Sequence, residues 1–173
     1  MWGKPDQIWV SAVQNSARKG RPYVGLVESL MTQNRCADAI PYLERGERLM
    51  PRDSSIQVAW AKALECQGKR EDALQRLNRA ATILPTSDVY QLIGLLCGEM
   101  GKKEAAGAAL RKATQLEPGN SSAHSALGLW YEATGDAADA EQEYRQALSS
   151  YAYNTEAQHG LARIQKVSAS VRP

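Results

Sequence analysis

β-Branched residues are scarce in this 173-residue chain: Val, Ile and Thr together occur 20 times, against 26 alanines. Strands favour the first group and helices the second. No stretch alternates apolar and polar residues for long enough to mark a half-buried strand. An all-helical protein is the expectation. Charge of one sign is missing as well: 21 Lys and Arg stand against 19 Asp and Glu, a net of +2. The concentrated basic field that nucleic acid demands is absent, so no nucleic-acid partner is expected. The longest apolar stretch, Leu92 to Cys97, falls far below the roughly 20 residues that span a bilayer. No direct membrane insertion of this chain is expected. The start, Met1-Trp2-Gly3-Lys4-Pro5-Asp6, has no basic segment followed by an apolar one, and no signal peptide is read there.

Cysteine is equally sparse. Cys36, Cys66 and Cys97 are odd in number and widely spaced, with no C-x-x-C. They do not read as a disulfide framework and are expected as small apolar residues. His124 and His159 have no Cys or His at metal-ligand spacing. No phosphate-cradling glycine motif is present, and no nucleophile, base and orienting group can be assembled. No catalytic residue, metal or cofactor is therefore assigned. The length suits one domain whose core needs no disulfide or metal staple.

What the chain does have is self-similarity. Asn34, Gly68, Gly101 and Gly135 recur at spacings of 34, 33 and 34. Ala39, Ala73, Ala106 and Ala140 each follow five residues later, then Leu43, Leu77, Leu110 and Tyr144, then Gly46, Ala80, Ala113 and Ala147. Upstream of each turn stand Leu26, Trp60, Ile93 and Leu127, and four residues on Leu30, Leu64, Cys97 and Tyr131. Steps of three, four and seven place apolar residues on one helix face. Each unit reads as a helix, a tight turn, a second helix and a short link. Glycine suits the turn because it takes φ > 0 at little cost. Asp136 is a fair N-cap for the helix after it. Pro51, Pro85 and Pro118 stop the second helices, whereas Pro41 lies early in one, where first-turn N–H groups have no intrahelical partner anyway. The alanine and glycine positions let two helices approach closely, with the larger residue between them filling the gap. Trp130 is expected to pack at the edge of a neighbouring helix.

This pattern resembles the tetratricopeptide repeat (TPR), a 34-residue helix–turn–helix unit. The resemblance divides the chain into an N-terminal half-repeat helix at 1–19, repeats at 20–53, 54–86, 87–120 and 121–154, and a capping helix with tail at 155–173. It implies an α-solenoid, a right-handed superhelix, that binds a protein or peptide segment in a concave groove without catalysis. In the capping helix, Leu161 and Ile164 are expected to face Leu127 and Tyr144, with Arg163 turned to water. In the half-repeat, Trp9 and Ala12 fall at the large and small positions. The run from Met1 to Trp9, with Ala12-Val13, Arg21-Pro22-Tyr23 and Leu26, also resembles the junction after the last membrane helix of sugar-transferase-like proteins. That implies a second reading, a soluble accessory domain of a larger membrane-bound glycosyltransferase-like protein, lying outside the cytoplasm. The compartment is otherwise left open.

In this family the first helices line the groove, through positions 2, 5, 9, 12 and 13 of each unit. Here that face comprises Arg21, Val24, Glu28 and Met31, then Val58, Lys62 and Glu65. It continues as Asp88, Gln91, Leu95 and Glu99, and ends with Ser122, Ser125, Leu129 and Glu132. Five carboxylates against two cations give it a net charge of −3, while the surplus cations, such as Arg45, Arg76 and Arg79, fall on second helices and turns. A segment with basic residues and apolar anchors is the expected partner. One branch of the family clamps C-terminal carboxylates of chaperones through Lys, Asn and Arg. The matching positions here are Val24, Glu28, Ala59, Asp88 and Leu92, or one repeat later Val58, Lys62, Leu92, Ser122 and Ala126, and neither set supplies that combination.

Overall fold

The computed structural model describes residues 5–16 and 18–170. The first four residues of the N-terminal junction run lie outside the described residues. Among the described residues the chain contains ten α-helices, one 3-10 turn and no strand. The helices are α1 (Pro5–Asn15), α2 (Arg21–Met31), α3 (Ile40–Leu49), α4 (Ser54–Cys66) and α5 (Arg70–Ile83). They continue as α6 (Ser87–Glu99), α7 (Lys103–Leu116), α8 (Ser121–Thr134), α9 (Ala137–Ser150) and α10 (Thr155–Ser170). The chain forms two compact units, residues 1–85 and 86–173. No helix among the described residues is long and apolar enough to cross a membrane.

In the first unit α1 packs on α2, α2 on α4, and α4 on α3 and α5. Tyr23, Leu26, Val27 and Leu30 of α2 meet Leu43 of α3 and Ile56, Ala59, Trp60 and Ala63 of α4. The second helix of this repeat does not start as an α-helix. Residues Cys36–Ala39 form a 3-10 turn, and Ile40 N–H bonds back to Ala37 C=O. Pro41, near the start of α3, has no N–H to continue an α ladder backwards, so the tighter turn precedes it. Asn34 takes φ +55° at the position where Gly68 and Gly101 take +75° and +72°. Asparagine is among the few residues besides glycine that enter this region readily.

α1 departs by one step from the sequence pattern. Val13 rather than Ala12 is fully buried, and the Trp9 ring lies against Gly25 of α2. A Cβ on Gly25 would stand 2.6 Å from that ring, so the missing side chain is what admits it.

In the second unit α6 pairs with α7, α8 with α9, and α10 lies on α9 and α8. Ala106, Ala113, Ala140 and Ala147 are all fully buried. Facing them, the first helices have lost side chains. A Cβ on Gly94 would meet Leu110 at 2.5 Å, and one on Gly128 would meet the Tyr144 ring at 2.8 Å. α10 closes the stack: Ile164 and Ala157 join Ala140, Tyr144 and Ala147, with Leu161 beside them. Leu127 belongs instead to a cluster with Leu110 and Ala126, so Ile164 and Leu161 reach Tyr144 but not Leu127. Trp130 lies over Gly107 and donates its indole N–H to Lys103 C=O at 3.0 Å. It is an edge packing residue, as expected. Asp136 is not the cap its chemistry suggested. Its side chain bonds no helix N–H, and its carboxylate accepts from Thr134 Oγ1 at 3.4 Å.

The cysteine reading needs correction. Cys36 and Cys66 form a disulfide, with Cα atoms 6.2 Å apart and a sequence separation of 30, and Cys97 is a buried thiol outside any disulfide. Spacing was the wrong guide here. The packing of α2 and α4 brings the entry of one second helix beside the exit of the next first helix. The bridge thus staples two repeats.

Two outcomes test this packing. Cys36→Ala with Cys66→Ala should lower unfolding stability by about 3–4 kcal/mol, the loop-closure value for a ring of this length. A urea midpoint unmoved by the substitutions or by reductant would contradict the bridge. Ala140→Leu should overpack the α8–α9 contact and cost roughly 1–3 kcal/mol. Thermal unfolding unchanged by it would mean that Ala140 does not face inward.

Candidate functional site

α2 follows Gly20 without a side-chain cap, but α4, α6, α8 and α10 each begin at one. Asp53 accepts from Ser55 N–H at 2.8 Å, Thr86 from Val89 at 3.3 Å, Asn120 from Ala123 at 3.0 Å and Asn154 from Ala157 at 2.9 Å. These oxygens satisfy N–H groups that the helix itself leaves open. The two asparagines also reach back one repeat. Asn120 Nδ2 donates to Ser87 Oγ at 2.9 Å, and Asn154 Nδ2 to Ser121 Oγ at 2.8 Å. The caps therefore hold consecutive first helices of the second unit in register, and with them the faces they display.

On the first unit, Arg21 and Glu28 are exposed on α2, with Val24 and Met31 half-buried. Val58, Lys62 and Glu65 of α4 are half-buried. Lys62 Nζ donates to Glu28 Oε1 across one repeat, so part of the acidic character read from the sequence is neutralised within the face. The second-helix side is neutralised likewise. Glu47 accepts from Arg76 at 2.8 Å and Arg79 at 2.9 Å, and Arg76 also lies 4.6 Å over the Trp60 ring. Burial raises the Glu47 pKa, but the hydrogen bonds from Gln57 and Arg76 and the two arginine charges outweigh it, and the net shift is downward.

On the second unit, Asp88, Leu95 and Glu99 are exposed on α6 and Gln91 is half-buried. Gln91 donates to Ser122 Oγ at 2.7 Å, so these two tie α6 to α8. Leu95 is 39% and Leu129 41% exposed; they stand one repeat apart at the same helix position. Ser125 is only 5% exposed. It donates to Ser122 C=O at 3.1 Å and accepts from Asn154 at 3.3 Å, and so forms floor rather than wall.

Glu132 is claimed by the last helix. Arg163 grips it with both arms of the guanidinium, Nε to Oε1 at 2.8 Å and Nη2 to Oε2 at 2.9 Å, and Tyr144 OH donates to Oε2 at 2.8 Å. Arg163 is exposed to water, as expected, and also anchors α10 to α8. Its hydrogen bond holds the Glu132 carboxyl below the usual range, outweighing burial, with the Tyr144 hydrogen bond and the Arg163 charge adding to the effect. Burial first, and the Glu132 hydrogen bond next, push the Tyr144 phenol up.

His124 is buried between α8 and α9, with Nδ1 2.7 Å from Glu143 Oε2 and Nε2 3.0 Å from Pro118 C=O. The ring joins α9 to the link before α8, so this histidine is a structural bridge. Among the described residues no three His, Cys, Asp or Glu side chains are grouped to hold a metal ion.

One surface feature lies outside the helix periodicity. The link after α9 places Tyr151 and Tyr153 on the surface, 57% and 77% exposed. The preceding link has Glu117 and Gly119 at the same two positions. Aligning the links, rather than the helices, exposes the difference.

Comparison with known proteins places this geometry. Residues 93–155 match the family model for the tetratricopeptide repeat. The type IV pilus assembly protein PilF of Pseudomonas aeruginosa is 36% identical over 67 residues, which are 39% of this chain and 27% of that protein. The chain thus spans about a quarter of the length of the curated relative it matches. A thermophilic TPR protein of Thermus thermophilus has a similar structure, with TM-score 0.78 over 92% of this chain and 88% of that one, at 19% identity. YrrB, a TPR protein with an unusual peptide-binding site, has TM-score 0.66 over 96% and 87%, at 12% identity. At such identities the likeness is one of fold, an all-α solenoid of helix pairs.

The Glu132–Arg163 grip has a pH signature. Its contribution is present above the ordinary carboxylate pKa and is lost as pH falls through the lowered value in the folded chain. Arg163→Gln should therefore destabilise the protein at pH 7 by no more than about 1 kcal/mol, because both groups are partly exposed. Denaturation curves across pH should show the gap between the two proteins closing in acid. A gap independent of pH would assign the loss to packing.

Proposed function

We propose that this chain, which belongs to the tetratricopeptide-repeat proteins, is a non-catalytic scaffold that holds a protein or peptide segment on its first-helix faces. Protein interaction is the role that the fold supports. The observation that carries the finer reading is the pair Leu95 and Leu129. Both are exposed on successive first helices, where the repeat pattern displays rather than buries them, and Asp88 and Glu99 lie exposed on the same α6. Apolar anchors between carboxylates fit a segment with basic and apolar residues. Glu28 is offset by Lys62 and Glu132 by Arg163, so a count of carboxylates overstates the acidity of these faces.

The repeats are read as 20–53, 54–86, 87–120 and 121–154, with flanking helices at each end. A chaperone carboxylate clamp does not fit. Of its matching positions, Ala59 and Ala126 are buried, and Asp88 would repel the ligand. None of the relatives named above is a sugar transferase. The Cys36–Cys66 bridge suits an oxidising compartment.

Site-specific photo-crosslinkers give the test. Introduced at Leu95 or Leu129, they should yield partner adducts in the source cells, and at Lys112 on α7 they should yield none. Adducts from Lys112 with none from the leucines would move the binding surface to the second helices.

A further inference from the structure

The edge of the second unit, where α8 and α10 begin, carries a shallow depression of about 620 Å³. Its walls include Tyr151 and Tyr153, whose rings stand 5.9 Å apart at 63°. Three carboxylates, Asp88, Glu117 and Glu156, line it together with no lysine, arginine or histidine. Asn120, Asn154 and Ser125 form the floor, already engaged in the caps and cross-repeat bonds.

The tyrosines are the unexpected part. Neither belongs to the apolar clusters around Leu110 and Tyr144, and both present most of their surface to solvent. The preceding link manages with Glu117 and Gly119, so the repeat does not need aromatics there. The carboxylates are mostly uncompensated. Arg163 Nη2 approaches Glu156 Oε1 at only 3.7 Å while bound at both arms to Glu132. Asp88 receives only a 3.3 Å bond from neutral Asn120. The positive ends of α8 and α10 are met by the asparagine caps, which leaves the carboxylates to set the sign of the depression.

We propose that this depression takes the guanidinium of an arginine in a peptide partner, stacked on the exposed tyrosine pair and hydrogen-bonded to the carboxylates. Arginine fits better than lysine because its planar fork both stacks on a ring and pairs with carboxylates. The corresponding place in the first unit is lined by Arg18 and Arg52 against one carboxylate, Asp53, which is taken up in capping α4, and Leu84 stands in place of Tyr151. It suits no cation, so the site belongs to the second unit alone. The inference rests on the scaffold reading, and names one side chain that such a partner brings.

The full chain, labelled with nitrogen-15, is titrated with a blocked Gly-Gly-Arg-Gly-Gly peptide and with its lysine and citrulline versions. Amide shifts are expected at 117–122 and 151–156 with arginine, weaker ones with lysine, and none with citrulline. Tyr151→Ala with Tyr153→Ala, and separately Glu117→Gln with Glu156→Gln, should weaken arginine binding by about fivefold or more while far-UV circular dichroism stays unchanged. Equal shifts with citrulline, or double variants that bind like the parent, would overturn the proposal. Shifts centred on Leu95 and Leu129 would also overturn it, yet leave the scaffold reading standing. A neutral oligosaccharide that moves 151–156 when the arginine peptide does not would reassign the depression to a glycan. Absence of photo-adducts at Leu95 and Leu129, with the arginine shifts intact, would instead sink the first-helix reading and spare this site.

Discussion

Close helix contact is the constraint on which the rest depends. Ala39, Ala73, Ala106 and Ala140 are fully buried, as are Ala80, Ala113 and Ala147. No side chain longer than a methyl is tolerated there, because the backbones approach too closely. The first helices answer with sockets. Gly94 receives Leu110, and Gly128 receives Tyr144, at distances where a Cβ could not stand. A large residue set into a glycine socket between two alanines leaves little freedom to slide or rotate. That fixed geometry decides which residues of each first helix remain outside. Leu95 and Leu129 are exposed for the same reason that Ile93 and Leu127 are buried. They are two residues further along a helix whose inward face is already specified.

A second layer of order sits at the start of the first helices. Asn120 and Asn154 each use the amide oxygen to cap one helix and the amide nitrogen to hold the preceding one. Asparagine can do both because it carries an acceptor and two donors on one planar group. Asp53 and Thr86 cap with an oxygen but have no amide nitrogen to reach back with. With register secured by the cap residue, the other link residues are released from structural duty. Glu117 and Gly119 in one link and Tyr151 and Tyr153 in the next illustrate that release.

The repeat itself was legible because it is written in side-chain size and spacing, which a single sequence displays directly. Each alanine position proved buried, and the turn residues Asn34, Gly68, Gly101 and Gly135 all adopt positive φ. What stayed illegible depends on which residues meet across repeats. Cys36 and Cys66 look unrelated at a separation of 30 and become neighbours only when α2 lies on α4. Lys62 and Glu28 cancel for the same reason. The charge of the face could be counted from the sequence, but its neutralisation could not. The exposure of Arg163 was legible, but a helix wheel does not show that Glu132 and Tyr144 lie within reach of its long side chain. Ser125 was misjudged because its small size lets Asn154 close over it.

These cancellations bear on how a repeat protein becomes selective. A solenoid whose helices must keep alanine and glycine inside has few core positions left to vary, so chemical identity moves outward. Ion pairs such as Glu28–Lys62 and Glu47–Arg76 then remove charge from the surface that a residue count would assign to binding. What remains is local: two exposed leucines on one pair of first helices, and a link bearing two tyrosines and several carboxylates. The links show the principle most clearly. Corresponding depressions in the two units share a backbone plan, yet one is lined by Arg18 and Arg52 against Asp53 and the other by Asp88, Glu117 and Glu156 with no cation. An opposite sign at equivalent places requires no change in the helices, because the caps and the backbone bonds within the links keep the links in position. Selectivity in this chain can therefore be altered residue by residue at its edges, without disturbing the packing that fixes its fold.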